Sequence, residues 1–400
     1  MRERQSLPQT TGDRIAWVDV AKALGIILVF HGHLVEPFIR FGDPAGEYRR
    51  AALQQMRWIY AFHMPLFFLL VGFLYKDRGL SLSSFVIRQV RTRLVPAWVF
   101  NIVALLMWLG EQLATGESRW VQEHDWTALA RHCLGKTLAM FYQGRHSWNV
   151  LTWFLFCLFT VELGQFCLRR FSRRTWQVAV CLAVFAGLAT AADYYADTLY
   201  ALLGVRRHWW HITSALAALT FYQLGLLLRR LGLFSRPGGP LPRVLGCLLC
   251  LTVLMLTYNR NPGLETNVPA VVLMIDAKYG HMGWFFPSAI AGSLFIVYAS
   301  QLLASSRVLT YLGQITLALM CLDGLLHGYF NPPLAKLLIQ LMPQQSAWTF
   351  TLLGVLITLV SLAACVPINW LLERYLPFLL GRARAGKRPA SHAGQAAATS

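Results

Sequence analysis

The chain has 400 residues, 56% of them hydrophobic and 14% charged, with a formal net charge of +18. Apolar runs of about 20 residues recur from end to end, the length a helix needs to cross a bilayer. This pattern excludes a water-soluble globular enzyme. It also excludes a nucleic-acid-binding protein, because the basic residues sit in short loops and not in a soluble module.

Ten spans are predicted: Ile15–Glu36, Trp58–Tyr75, Leu94–Leu113, Asn149–Leu168, Trp176–Ala192, Ile212–Leu228, Val244–Tyr258, Trp284–Leu303, Val308–Tyr329 and Trp348–Trp370. An even number puts both termini on one side. The N-terminus, the 76–93 loop, Arg169–Arg174, Arg229–Arg243, Arg307 and the C-terminal tail hold 22 Lys/Arg against 4 Asp/Glu, while the opposite loops are nearer balance. Cytoplasmic loops carry the basic excess, so both termini are expected in the cytoplasm. The expected fold is all-α: a polytopic integral membrane helix bundle of about ten transmembrane helices. Residues 1–380 form the membrane domain. Residues 381–400 form a basic tail whose Ala/Gly/Arg/Lys composition predicts disorder and whose charges could rest on anionic lipid heads.

Span one carries Asp19, Lys22 and His33. At about 100° per residue, Asp19, Lys22, Ile26, Val29 and His33 fall close to one face. Charges inside a span are costly and mark sites or pathways. Those charges, and the lack of a small-x-small motif after Leu34, argue against a cleavable signal peptide. By helical rise His33 lies about 21 Å from Asp19 and about 16 Å from Lys22. A neutral imidazole in a polar cavity can take a proton from a hydroxyl and return it; the alternative is a buried histidine bonded to backbone or a neighbouring helix. Asp19 and Lys22 either neutralise each other as an i, i+3 pair or leave Lys22 facing a cytoplasmic cavity to hold an anionic ligand. Glu36 adds a carboxylate near His33. His31 points off the His33 face and reads as a packing or tautomer-setting residue.

The outer segment Pro37–Arg57 is a lid or a plain connector. In span two, His63 lies near the outer end, at a depth matching His33, and the two could share a site. They supply no third ligand, so no metal is expected. The next inner loop carries Arg88, Arg91 and Arg93 at a helix start. Planar guanidinium forks suit phosphate, although composition by itself favours ordinary positive-inside topology there. The outer segment Ala114–Trp148 is expected to include an interfacial helix near Trp126–Tyr142. Trp153, in span four, is a core residue or lines a substrate passage. Glu162 lies in the inner half of the same span, where it could balance Lys22 or an arginine. Of the eight cysteines only Cys133 lies in an outer loop, and no structural disulfide is expected; Cys247 and Cys250 read as packing thiols. Asn259–Gly283 is the third long outer segment. In span nine, Asp323 and His327 are an i, i+4 pair that could orient His33 or an acceptor hydroxyl, or bond each other.

Together these residues resemble a known family. Asp19-x-x-Lys22 followed by ten residues and His33 is similar to the first-helix motif of the membrane acyltransferase 3 family, in which the basic residue is more often Arg. Phe62–Phe73 resembles its second helix and Arg88–Pro96 its basic turn before helix three. Trp153-Phe154-Leu155 and Leu312–Leu317 resemble later landmarks, so the likeness spans roughly residues 14–330. Stand-alone sugar O-acetyltransferases, including fucose 4-O-acetylase-like members, have the nearest pattern. Asp323 departs from it, standing where many relatives end the Leu-Gly helix with histidine.

The resemblance implies acyl transfer, usually of acetyl from acetyl-CoA, to a hydroxyl of an envelope or secreted glycan. The enzyme would sit in the inner (plasma) membrane and hold no permanently bound cofactor. His33 would be the general base, with His63 and Asp323 as further catalytic candidates. Lys22, Arg88, Arg91 and Arg93 would meet the anionic end of acyl-CoA; Asp19, Glu36 and Trp153 would contact the acceptor. The rival reading from the residues is a transporter or flippase for a lipid-linked sugar or small anion, since charged residues within helices serve that function equally. A non-catalytic envelope scaffold is a third.

Overall fold

The computed structural model describes residues 14–204, 208–234, 239–261, 263, 271–342 and 346–381. The predicted tail beyond Gly381 lies outside these residues. In chain order the helices are α1 (Ala16–Phe41), α2 (Glu47–Tyr60), α3 (His63–Leu74), α4 (Leu82–Gln89), α5 (Val95–Thr115), α6 (Arg119–Gln122), α7 (Trp126–Gln143), α8 (Trp153–Leu168), α9 (Thr175–Leu203), α10 (Ile212–Arg230), α11 (Pro240–Thr257), α12 (Met282–Leu302), α13 (Arg307–Gln314), α14 (Thr316–Tyr329), α15 (Asn331–Leu341) and α16 (Ala347–Tyr375). Nine helical stretches among the described residues are long and apolar enough to cross a membrane, or ten if the bent pair α13–α14 is one span. The fold is the expected polytopic helix bundle, with backbone polar groups satisfied inside helices as a bilayer requires.

Burial separates an inner group of helices from a lipid-facing one. In α1, α2–α3 and α10, 72% of the most apolar stretch is buried, against 11% in α9 and 22% in α11 and α16. The inner helices approach closely because their contacts are made by glycine. A Cβ added to Gly72 of α3 would lie 1.9 Å from the Tyr222 carbonyl oxygen, and one added to Gly225 of α10 would lie 1.9 Å from that of Leu69. Small residues at such crossings let backbones pack directly.

Three spans differ from their expected outlines. The outer segment after span one is mostly helix: α1 runs on to Phe41 and α2 begins at Glu47. The turn between them is built by Asp43, whose side chain accepts from the Ala45 amide at 3.0 Å. Hydropathy hides α2 because it is polar on one side; Tyr48, Ala51, Ala52, Met56 and Ile59 are its buried face. Span three starts early: α4 passes through a π-helical turn, Val90–Leu94, straight into α5. Span nine is broken at Ile315, where α13 and α14 meet at 73°. The helix expected near Trp126–Tyr142 is present as α7. In the third outer segment, a short hairpin closed by Leu273 and Lys278 (N···O 2.9 and 3.0 Å) turns back into the bundle.

Candidate active site

Helical period builds the first wall of the site. Lys22, Ile26, Val29, His33 and Glu36 descend one stripe of α1 and line a cavity of about 620 Å³. Asp19, one turn earlier, does not line it: its carboxylate accepts from Lys22 Nζ at 3.0 Å, so the i, i+3 pair does form. Lys22 keeps its place on the cavity wall despite that bond. His31 is on another face, where its two ring nitrogens meet Thr358 at 3.0 Å and Gln55 at 2.7 Å.

His33 is held at its carbonyl and at its ring. Pro37 lies inside α1, four residues later, and has no amide to offer the His33 carbonyl. Asn331 Nδ2 donates to that carbonyl instead, at 3.2 Å. His33 is 8% exposed and Asp323 only 1%, and His33 Nδ1 lies 2.7 Å from Asp323 Oδ2. A carboxylate accepts, so Nδ1 carries the hydrogen and Nε2 is left with its lone pair. One turn beyond Asp323 on α14, His327 Nε2 lies 3.2 Å from Glu36 Oε2. The His33 and His327 ring centroids are 5.0 Å apart. Two imidazoles, each on its own carboxylate, therefore stand side by side.

His63, at the start of α3, lines the same cavity. Its Nδ1 donates to the Ile59 carbonyl at 3.0 Å, so its Nε2 is also an acceptor. Between His63 and His33 stands Tyr60, whose ring lies 4.7 Å from the first and 6.3 Å from the second. Trp153, the first residue of α8, lines the cavity as well.

The other end of the cavity is basic. Lys76, Asp77, Arg78, Arg88, Arg93 and Arg169 line it. Arg93 is committed: its Nε and Nη2 donate to both oxygens of Glu162, at 3.0 and 3.2 Å. Glu162 therefore balances Arg93 and not Lys22. Arg169 packs its guanidinium 4.1 Å over the Phe166 ring and donates to the Leu80 carbonyl. Tyr75, between spans, is held protonated: burial raises its pKa, and Asp77 adds to the effect. Arg91 is exposed and is not among the lining residues. The π turn at Val90–Leu94 carries both Arg91 and Arg93, and of the two only Arg93 lines the cavity.

The structure thus brings Lys22, His33, Glu36, His63, Arg88, Arg93 and Trp153 to one cavity, with Asp323 behind His33. Sequence reasoning missed Tyr60, and it also missed Asn101. The Asn101 Oδ1 accepts from the amides of Ser147, Trp148 and Asn149 at 3.1, 2.9 and 3.0 Å. Its Nδ2 donates to Thr152 Oγ1 at 2.7 Å. Asn149 in turn donates to the Cys321 carbonyl of α14 at 3.0 Å. One buried amide on α5 therefore fixes the turn that precedes Trp153 and ties it to the helix carrying Asp323. An Asn inside an apolar run was the available signal.

Such a site can deprotonate a hydroxyl at one end and hold an anion at the other. Among the described residues, no group of three or more His, Cys, Asp or Glu side chains is disposed to hold a metal. A family described as an acyltransferase domain matches residues 15–370. No curated protein and no solved structure matches the chain.

Proposed function

The chain belongs to this acyltransferase family, and we propose that it moves an acetyl group from cytoplasmic acetyl-CoA to a hydroxyl of an envelope or secreted glycan in the inner membrane. It is a multi-pass membrane acyltransferase, so it needs an acyl donor, a hydroxyl acceptor and a lipid surround. The observation that carries the finer reading is the single cavity shared by His33 and Arg88.

The two ends of that cavity suit the two ends of an acyl-CoA. Its phosphates would meet Arg88, Arg78 and Lys22, with Asp19 holding Lys22 in place. Arg93 would join them to the extent that Glu162 releases it. Arg91 would add only to the field outside the cavity. The pantetheine arm spans a distance on the order of the Lys22–His33 rise, about 16 Å, and brings the thioester to His33. The acceptor would enter from the outer side past Trp153 and Glu36. His33 Nε2 would take the hydroxyl proton as the oxygen attacks the thioester carbonyl, while Asp323 steadies the imidazolium that forms. His63 offers a second lone pair on the same wall.

The test is turnover by the purified, reconstituted chain with labelled acetyl-CoA and envelope polysaccharide. Release of CoA with label on the glycan is expected. A transporter or flippase would leave acetyl-CoA intact, and that result would end the proposal. Mass spectrometry of surface polysaccharide from cells with and without the chain identifies the acceptor.

A further inference from the structure

We propose that Tyr60 is the hydrogen-bond donor to the oxyanion formed when the acceptor attacks the thioester. The inference rests on the acyl-transfer reading and assigns a role that reading leaves unfilled. In the reaction, the acceptor oxygen bonds to the thioester carbonyl carbon as His33 Nε2 takes its proton. The C=O π pair moves onto the carbonyl oxygen. Collapse re-forms C=O and breaks the C–S bond, and the departing thiolate takes the proton back from the His33 imidazolium. An ester and a thiol result, with no net proton gained or lost. Between the two steps the carbonyl oxygen carries a full negative charge in a site of low dielectric, where a placed donor acts most strongly.

Counting donors around His33 leaves few choices. His33 spends its Nδ1–H on Asp323. His63 spends its Nδ1–H on the Ile59 carbonyl. His327 turns its Nε2–H to Glu36, whose carboxylate oxygen accepts it. The nitrogens these imidazoles have left over carry lone pairs, which would repel an oxyanion. Lys22 lies about 16 Å down α1 by helical rise. Tyr60 is different. It lines the cavity, its ring stands between His33 and His63, and its hydroxyl has no hydrogen-bond partner among the described residues. A phenol at neutral pH carries its proton and donates it.

The backbone around Tyr60 is shaped to bring it there. Tyr60 is the last residue of α2, where the chain breaks before α3. Across from it on α1 is Gly32, the neighbour of His33. A Cβ at Gly32 would meet Tyr60 Cε2 at 2.9 Å. Glycine at that point lets the phenol lie against α1 beside the base.

The test uses the reconstituted full chain, radiolabelled acetyl-CoA and envelope polysaccharide. Tyr60→Phe is expected to lower kcat by about 10²- to 10³-fold, the range for losing one oxyanion donor, with KM for acetyl-CoA changed by less than about twofold. Unchanged kcat, or a raised KM with normal kcat, overturns the proposal. A second series replaces Tyr60 with mono- and difluorotyrosine, which keep the ring and make the phenol a stronger donor. A kcat that tracks phenol acidity supports the role, and a flat series overturns it, even if Tyr60→Phe folds poorly. An inert wild-type chain would remove the acyl-transfer reading and this inference with it. An active wild type matched by Tyr60→Phe removes this inference alone.

Discussion

Arg88 and Arg93 are five residues apart and line the same cavity. In an α-helix that spacing leaves side chains about 140° apart. The π turn at Val90–Leu94 adds a residue to the local repeat and brings the two towards one side. Such turns recur at functional sites because they re-aim side chains without breaking the helix.

This alignment separates the arginines experimentally. Arg88→Ala is expected to raise KM for acetyl-CoA by about tenfold, the value of one charge-assisted contact, with kcat retained. Arg91→Ala, outside the cavity, is expected to leave both constants unchanged. Steady-state kinetics in reconstituted membranes distinguish the two; equal effects would show that the π turn does not sort them.

The His33–Asp323 pair predicts a loss that does not add. His33→Gln is expected to lower kcat by about 10²- to 10⁴-fold, the usual contribution of a general base. Asp323→Asn fixes the wrong ring hydrogen and lowers kcat in the same direction. The double variant should be no slower than His33→Gln alone, because the residues act as one unit. Independent, multiplying losses in CoA release would mean that Asp323 does not act through His33.

Asn331 replaces the amide that Pro37 lacks. Asn331→Leu removes the amide donor to the His33 carbonyl and is expected to cost about 1–3 kcal/mol, the penalty for an under-satisfied buried group. Pro37→Ala restores an intrahelical donor, so Pro37→Ala with Asn331→Leu should recover most of that loss. Thermal midpoints of the three variants in detergent check it. If the double variant is no more stable than Asn331→Leu, the carbonyl is not the cause.

His146 gives a pH dependence outside the spans. Burial, followed by the nearby His208, Arg145 and Lys136, pushes its pKa down to about 3. An unfolded histidine protonates near 6.5, so between about 6.5 and about 3 the unfolded chain binds the extra proton. The folded state keeps this contribution above pH 6.5 and loses it as pH falls, by up to about 1.4 kcal/mol per unit. The thermal midpoint should therefore drop between pH 7 and pH 5, and His146→Gln should flatten that part of the curve. A wild-type midpoint equal at both pH values contradicts it.

The helical parts of this architecture were legible where hydrophobicity and period agree. The stripe from Lys22 to His33 needed only a repeat of about 3.6 residues, and α7 was visible for a similar reason. The start of α2 was hidden because Glu47–Arg57 is too polar to score as a span, although Tyr48, Ala51, Ala52 and Met56 repeat at helical spacing. The π turn leaves no mark on composition, so Arg91 looked equivalent to its neighbours. Partnerships were the least legible. His33 and Asp323 are 290 residues apart, and Glu162 found Arg93 only because α8 packs against the π turn. Tyr60 stands three residues before His63, but what marks it out is Gly32 and the His33 ring reaching it through space.

One continuous helix, α1, carries both Lys22 and His33. The interval between Lys22 and His33 is therefore set by backbone geometry and not by loops that can stretch. The span works as a ruler. A single inserted residue between Val29 and His33 would lengthen it by about 1.5 Å but swing the base about 100° off the cavity. Azimuth, more than distance, is what this ruler guards.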